Sequence, residues 1–139
     1  MSETLPVEKL FTITANTAQA GMLQGAPQGG RLIVNVTGGT FDGPKLKGAV
    51  EAGGADWLTL RADGSFKLDV RIMLKTEDGA QILMTYNGIG VTEGGAAKLR
   101  TAPVFETGDE RYAWLNRVQA VAHGAPGANS VTYDVYALL

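Results

Sequence analysis

Residues 65–75 read Ser-Phe-Lys-Leu-Asp-Val-Arg-Ile-Met-Leu-Lys and lie between the pairs Asp63-Gly64 and Asp78-Gly79. Apolar and polar residues alternate along them, and a period of two over this length is that of a β-strand bounded by turn formers. Phe66, Leu68, Val70, Ile72 and Leu74 share one face. Lys67, Asp69, Arg71 and Lys75 share the other, with Met73 as its apolar exception. An acid and a guanidinium therefore stand side by side on one strand, and the direction in which they point is the central functional question.

Working outward, the same alternation predicts strands over Leu10 to Ala15, Arg31 to Thr37, Leu46 to Glu51, Asp56 to Arg61, Ala80 to Val91, Ala96 to Thr101, Tyr112 to Val121 and Val131 to Leu138. The Gly-, Gln-, Ala- and Pro-rich segment from Asn16 to Gly30 reads as the longest loop. No stretch of helical length carries an apolar stripe. Short turns between successive strands favour antiparallel neighbours. Closure of such strands removes exposed edges, so the expected fold is all-β, a single antiparallel β-barrel of about eight or nine strands rather than a sandwich.

The chain has 139 residues, which fits one domain spanning 1–139 with a core of its own. It contains no cysteine, which excludes thiol chemistry, cysteine-ligated metals and disulfides. The amino terminus Met-Ser-Glu-Thr-Leu-Pro-Val-Glu is acidic where a signal peptide would be basic, and no apolar run has transmembrane length. A cytoplasmic protein is the expectation. The net charge is −2 without a basic cluster, so neither nucleic acid nor membrane is expected as a partner.

Several combinations of residues carry a resemblance: Gly38-Gly39-Thr-Phe-Asp-Gly43-Pro44-Lys-Leu-Lys-Gly48, Gly53-Gly54-Ala-Asp56-Trp57, and Asp63-Gly64-Ser-Phe-Lys-Leu-Asp69-Val-Arg71 followed by Asp78-Gly79-Ala. Pro103-Val-Phe-Glu106-Thr, Tyr112-Ala-Trp114-Leu-Asn116 and Tyr133-Asp-Val-Tyr136 extend it to the carboxyl end. Together they resemble the domain-of-unknown-function 3237 family, also called uncharacterised protein family 0311. The resemblance covers the chain from about Gly30 onward. It implies a β-barrel similar to those of allene oxide cyclase and the calycins, and no established reaction.

Familiar catalytic motifs are missing. Gly38 and Gly43 have the spacing of a phosphate loop, but Pro44 stands where lysine is required and Asp42 adds negative charge. His123 is the only histidine, and none of Ser2, Ser65 and Ser130 sits in a nucleophile elbow. His123 reads as a solvent-facing loop residue. No metal site and no cofactor are expected.

What remains is a small-molecule site. If the polar face of the 65–75 strand lines the lumen, Arg71 can hold an anionic oxygen and Asp69 can orient it or move a proton, with Glu106 as a further acid or base near the mouth. Trp57, Tyr86, Tyr112, Trp114 and Tyr133 are candidate apolar walls, and Asn116, in phase with Tyr112 and Trp114 on a strand, is a candidate polar anchor. The expected function is binding of a small organic molecule, anionic where Arg71 is its partner, with cofactor-free isomerisation or cyclisation as its catalytic form. The alternative is a structural or interaction barrel without ligand chemistry. A homodimer is expected, because an outer apolar surface would need cover.

Overall fold

The strand over residues 65–75 behaves as its pattern dictates: Leu68, Val70, Ile72 and Leu74 are buried, while Lys67, Asp69, Arg71 and Lys75 are exposed. The computed structural model describes residues 3–139, so Ser2 lies outside the described residues. Among the described residues ten strands follow one another: β1 (Val7–Ala26), β2 (Gly29–Asp42), β3 (Lys47–Val50), β4 (Ala55–Leu60), β5 (Phe66–Thr76), β6 (Gln81–Glu93), β7 (Ala96–Thr101), β8 (Val104–Glu106), β9 (Ala120–Gly127) and β10 (Ser130–Leu138). A 3₁₀ helix, Glu110–Arg117, separates β8 from β9. No helix among the described residues is long and apolar enough to cross a membrane.

All strand pairs are antiparallel and form one sheet in the order β3-β5-β4-β2-β1-β10-β9-β7-β6-β8, with further pairings β3–β2 and β5–β6. The β5–β6 pairing links eight strands into a ring, but this ring is not the expected β-barrel. Three strands change partner along their length. β2 pairs with β4 over Gly30–Asn35 and with β3 over Thr40–Asp42. β5 divides itself between β4 and β3, and β6 between β7 and β8. β3 and β8 thus branch from the ring. The β1–β10 ladder also stops at Asn16↔Ser130, although β1 runs on to Ala26 with β2 alone beside it. A barrel requires each strand to be flanked along its length, and this sheet forks and opens instead.

Three sequence expectations are corrected by these elements. The segment from Asn16 to Gly30 is no loop: it is the distal part of the β1–β2 hairpin, mostly exposed. Alternation is weak there because a two-stranded ribbon with solvent on both faces has no apolar face to maintain. The expected strand over Tyr112 to Val121 is largely the 3₁₀ helix, started by Asp109, whose carboxylate accepts a hydrogen bond from the Arg111 N–H at 2.9 Å. His123 is exposed, as read, but lies on β9 and stacks on Tyr136 with ring centroids 5.9 Å apart.

The inward face of the ring is divided into a packed half and a hollow half. Phe11, Phe41 and Phe105 form an aromatic cluster, with centroid distances of 5.4 and 6.0 Å, and Ile72, Leu74, Ile82, Met84 and Leu115 belong to the same buried core. Phe66, Leu68 and Val70, from the other half of β5, border a cavity.

Candidate functional site

A cavity of about 280 Å³ occupies the hollow half. Its walls are mostly apolar: Val34, Val36, Leu58, Phe66, Leu99 and Val131 all contribute. The ionisable side chains that reach it are Asp56, Tyr86 and Tyr133. Thr17, Pro126, Gly127 and Ser130 also border it, where β1 parts from β10 and the β9–β10 turn begins. There the Thr17 N–H donates to the Asn129 carbonyl at 2.9 Å, tying the turn to β1.

Strand register explains why these side chains meet. Val34, Asp56, Val70 and Tyr86 are successive partners across β2, β4, β5 and β6. Asp56 consequently has a valine on either side, in an apolar row that ends in a phenol. The pairing of β4 with β5 lapses between Asp56↔Val70 and Thr59↔Lys67. In that gap the Asp69 N–H donates to Asp56 Oδ1 at 3.0 Å, so the carboxylate takes a backbone donor into the cavity wall.

A second row, Tyr133, Gly124, Leu99, Gly90 and Phe66, alternates large side chains with glycine across β10, β9, β7, β6 and β5. A Cβ on Gly124 would stand 2.6 Å from Tyr133 Cδ1, and one on Gly90 would run into the Phe66 ring. Both rings therefore lie over bare backbone. Tyr133 also meets Tyr86 edge to face, with centroids 5.4 Å apart.

Electrostatics follow from this enclosure. Burial pushes the Asp56 carboxyl up to about 6; the Asp69 N–H opposes the rise and the Asp69 charge adds to it. Burial raises both phenols, Tyr86 with help from Tyr133 and Asp56, and Tyr133 with help from Asp56. At neutral pH both tyrosines are hydrogen-bond donors, and the Asp56 carboxyl holds its proton to higher pH than an exposed aspartate does. An acid so placed beside neutral donors is suited to proton transfer on a bound substrate.

The sequence profile of the family described as protein of unknown function DUF3237 matches residues 5–138. The chain belongs to the DUF3237 family. UPF0311 protein RPA1785 of Rhodopseudomonas palustris is 29 % identical to it over the whole of both chains. The hydroalkoxylation enzyme phnH of Penicillium herquei is 34 % identical over 106 residues, covering 76 % of this chain and 64 % of phnH. Among solved structures, a beta-barrel-like protein from Acinetobacter baumannii superposes with a TM-score of 0.90 at 28 % identity, covering 100 % of this chain and 99 % of the other. An enzyme from Penicillium herquei superposes with a TM-score of 0.71 at 28 % identity, covering 100 % and 98 %.

In this DUF3237 chain the site residues expected from sequence are dispersed. Tyr86 and Tyr133 do meet in the interior. Asp69 and Arg71 do not enter it: they are exposed on the outer face of β5, beside Trp57, which is 54 % exposed, in a shallow depression formed with Gly53, Gly54 and Ala55. The reason is the alternation itself, since Leu68 and Val70 take the inward positions. Among the described residues no ion pair joins Asp69 to Arg71. Glu106 is exposed on the short edge strand β8.

Tyr112, Trp114 and Asn116 do not share a wall, because on a 3₁₀ helix residues two apart diverge. The Tyr112 hydroxyl donates to Asp78 Oδ2 at 2.8 Å, and Lys45 Nζ stands 5.3 Å from the Trp114 ring centroid. Asn116 clamps Thr107, accepting from its N–H at 2.8 Å and donating to its carbonyl at 3.0 Å. These are structural contacts at the packed end. Asp56 is the group that sequence reasoning passed over. It stands in phase with Leu58 and Leu60, an acid on the apolar side of a strand, and that mismatch was the available signal.

Proposed function

We propose that this DUF3237 member is a cofactor-free acid–base catalyst of isomerisation or ring closure on a small organic molecule held in the interior cavity. One observation carries the reading: the carboxyl of Asp56 is the acid of an otherwise apolar cavity, set with the phenols of Tyr86 and Tyr133. The likeness to a protein named a hydroalkoxylation enzyme supports this reading, because hydroalkoxylation is a proton-transfer reaction of the kind an acid and two phenols can serve. In the intramolecular addition of a hydroxyl to a carbon–carbon double bond, the neutral Asp56 acid gives its proton to one alkene carbon. The substrate oxygen bonds to the other carbon, and the hydroxyl proton returns to the Asp56 carboxylate. A C–H and a C–O bond form, the π bond and an O–H bond break, and Asp56 ends as it began. Tyr86 and Tyr133 donate hydrogen bonds to the substrate oxygen and fix its approach, and the apolar walls hold chain and oxygen in a reactive geometry.

The test uses 2-(2-methylallyl)phenol in D₂O. Ring closure should yield 2,2-dimethyl-2,3-dihydrobenzofuran with one deuterium in a methyl group, and Asp56→Asn should lower the rate by about 10²- to 10⁴-fold, the range of general acid–base catalysis. Equal rates in the two proteins would refute the assignment to Asp56.

A further inference from the structure

We infer that the cavity selects an uncharged molecule of one or two rings bearing a hydroxyl, that it rejects carboxylates, and that the hydroxyl seats against Asp56 and the tyrosine pair. This rests on the proposed site for its location and adds what the site admits.

Charge and enclosure decide what can enter. Among the described residues, no lysine, arginine or histidine contributes a side chain to the cavity. Arg71, the cation that alternation places nearest on β5, points to the outer surface. A carboxylate entering would find no counter-charge and would meet the Asp56 carboxylate instead. Moving an unpaired anion out of water is among the costliest steps in binding. The groups facing Asp56 do not soften this: Val34 and Val70 flank it, Tyr86 closes its row, and Asp69, behind it on β5, is itself an acid. The border formed by Thr17, Pro126, Gly127 and Ser130 carries no charge either.

A cation is also disfavoured. An ammonium would meet the Asp56 carboxylate and a few hydroxyls between mostly apolar walls, which repays only part of the cost of stripping its hydration shell. A hydroxyl, in contrast, meets an acceptor in Asp56 and donors in the phenols. The volume, about 280 Å³, lies at the small end of ligand cavities and suits a compact aromatic against Phe66 and Leu99.

Calorimetric titration of the intact protein at about pH 7.5 with 2-naphthol, 2-naphthoate and 2-naphthylmethylammonium tests the assignment, because these share one ring system and differ in charge. The result expected is 2-naphthol binding at least about ten-fold more tightly than either ion. Asp56→Asn should narrow the naphthol–naphthoate gap to about three-fold or less, since it removes the repelling charge. Tyr133→Phe, which keeps the ring but removes a hydroxyl donor, should weaken 2-naphthol. Naphthoate or the ammonium binding as tightly as 2-naphthol, or no binding of 2-naphthol at about 1 mM, would overturn the inference. These probes do not react. Charge selection without ring closure of the allylphenol would count against the catalytic reading alone, and ring closure inhibited equally by naphthol and naphthoate against the selection alone.

Discussion

The backbone N–H of Asp69 donates to Asp56 Oδ1 at 3.0 Å, so a residue whose side chain faces solvent holds the interior acid in place. The bond replaces a link in the β4–β5 ladder. It also couples two acids: the Asp69 charge helps to raise Asp56, after burial. Asp69→Asn should therefore lower the Asp56 pKa without disturbing the hydrogen bond, which uses the main chain. A carboxyl-selective ¹³C titration by nuclear magnetic resonance checks this, and an unchanged or raised Asp56 pKa would contradict the coupling.

Asp56 should also govern the dependence of stability on pH. Its folded-state pKa of about 6 lies above the ordinary 3.8, so between these values the folded chain holds a proton that the unfolded chain releases. Stability from this group is thus present at low pH and is lost as pH rises through that window. Asp56→Asn keeps the shape and the acceptor for Asp69 but removes the ionisation. The variant should be more stable than the parent above pH 7 by up to about 3 kcal/mol, since each pH unit across the window costs the parent roughly 1.4 kcal/mol, and nearly equal to it at about pH 4. Urea denaturation at the two pH values measures the difference, and a variant less stable at both would reject a carboxyl whose ionisation opposes folding.

The order of strands in the chain and the inward face of β5 could be read from sequence because both follow from local chemistry: Asp63-Gly64 turns the chain, and alternation from Phe66 to Leu74 sets the face. The branching of the sheet could not, since the switch of β2 from β4 to β3 depends on partners distant in sequence. Alternation also misled at Tyr112, Trp114 and Asn116, where the Asp109-Glu110 cap outweighs it. Residues 69 and 71 drew attention by charge, yet charge at a polar-face position is what solvent favours. Asp56 and the glycines Gly90 and Gly124 shape the site: the acid was marked only by standing in phase with Leu58 and Leu60, and the glycines looked ordinary alone. A glycine within a strand reads as a bulge until the aromatic ring that covers it is known.

Gly124 offers a direct probe of how that ring is held. Its missing side chain leaves room for Tyr133, and an added methyl would stand 2.6 Å from Tyr133 Cδ1 and closer still to the Thr132 carbonyl. Gly124→Ala should displace the phenol, at a cost of about 1–3 kcal/mol in stability as for other overpacked positions. Ultraviolet absorbance titration of the tyrosines should then show Tyr133 ionising at lower pH than in the parent, because burial is the main cause of its raised pKa. A parent-like titration curve would mean that the ring does not depend on the glycine.

On the outer face substitution should have little effect. Arg71 is exposed and has no salt-bridge partner among the described residues. Arg71→Met should alter unfolding free energy by no more than about 0.5 kcal/mol and leave ring closure of the allylphenol unchanged. A loss of activity beyond about ten-fold with the fold intact would return Arg71 to the chemistry, against its position on β5.

Thr101 Oγ1 is buried without a hydrogen-bond partner, the one such side-chain atom among the described residues, on the strand that also carries Leu99 into the cavity wall. A buried hydroxyl that has given up water and gained no partner costs about 1–3 kcal/mol. Thr101→Val replaces it with a methyl of nearly the same size and keeps the β-branched shape that β7 accommodates. The variant should be more stable by about 1 kcal/mol, with a melting temperature several degrees higher at this chain length. Thr101→Ser keeps the hydroxyl but loses the methyl that packs toward Gly88, and should be less stable than the parent. If valine proves destabilising while serine is neutral, the hydroxyl has a partner in solution, an internal water being the simplest.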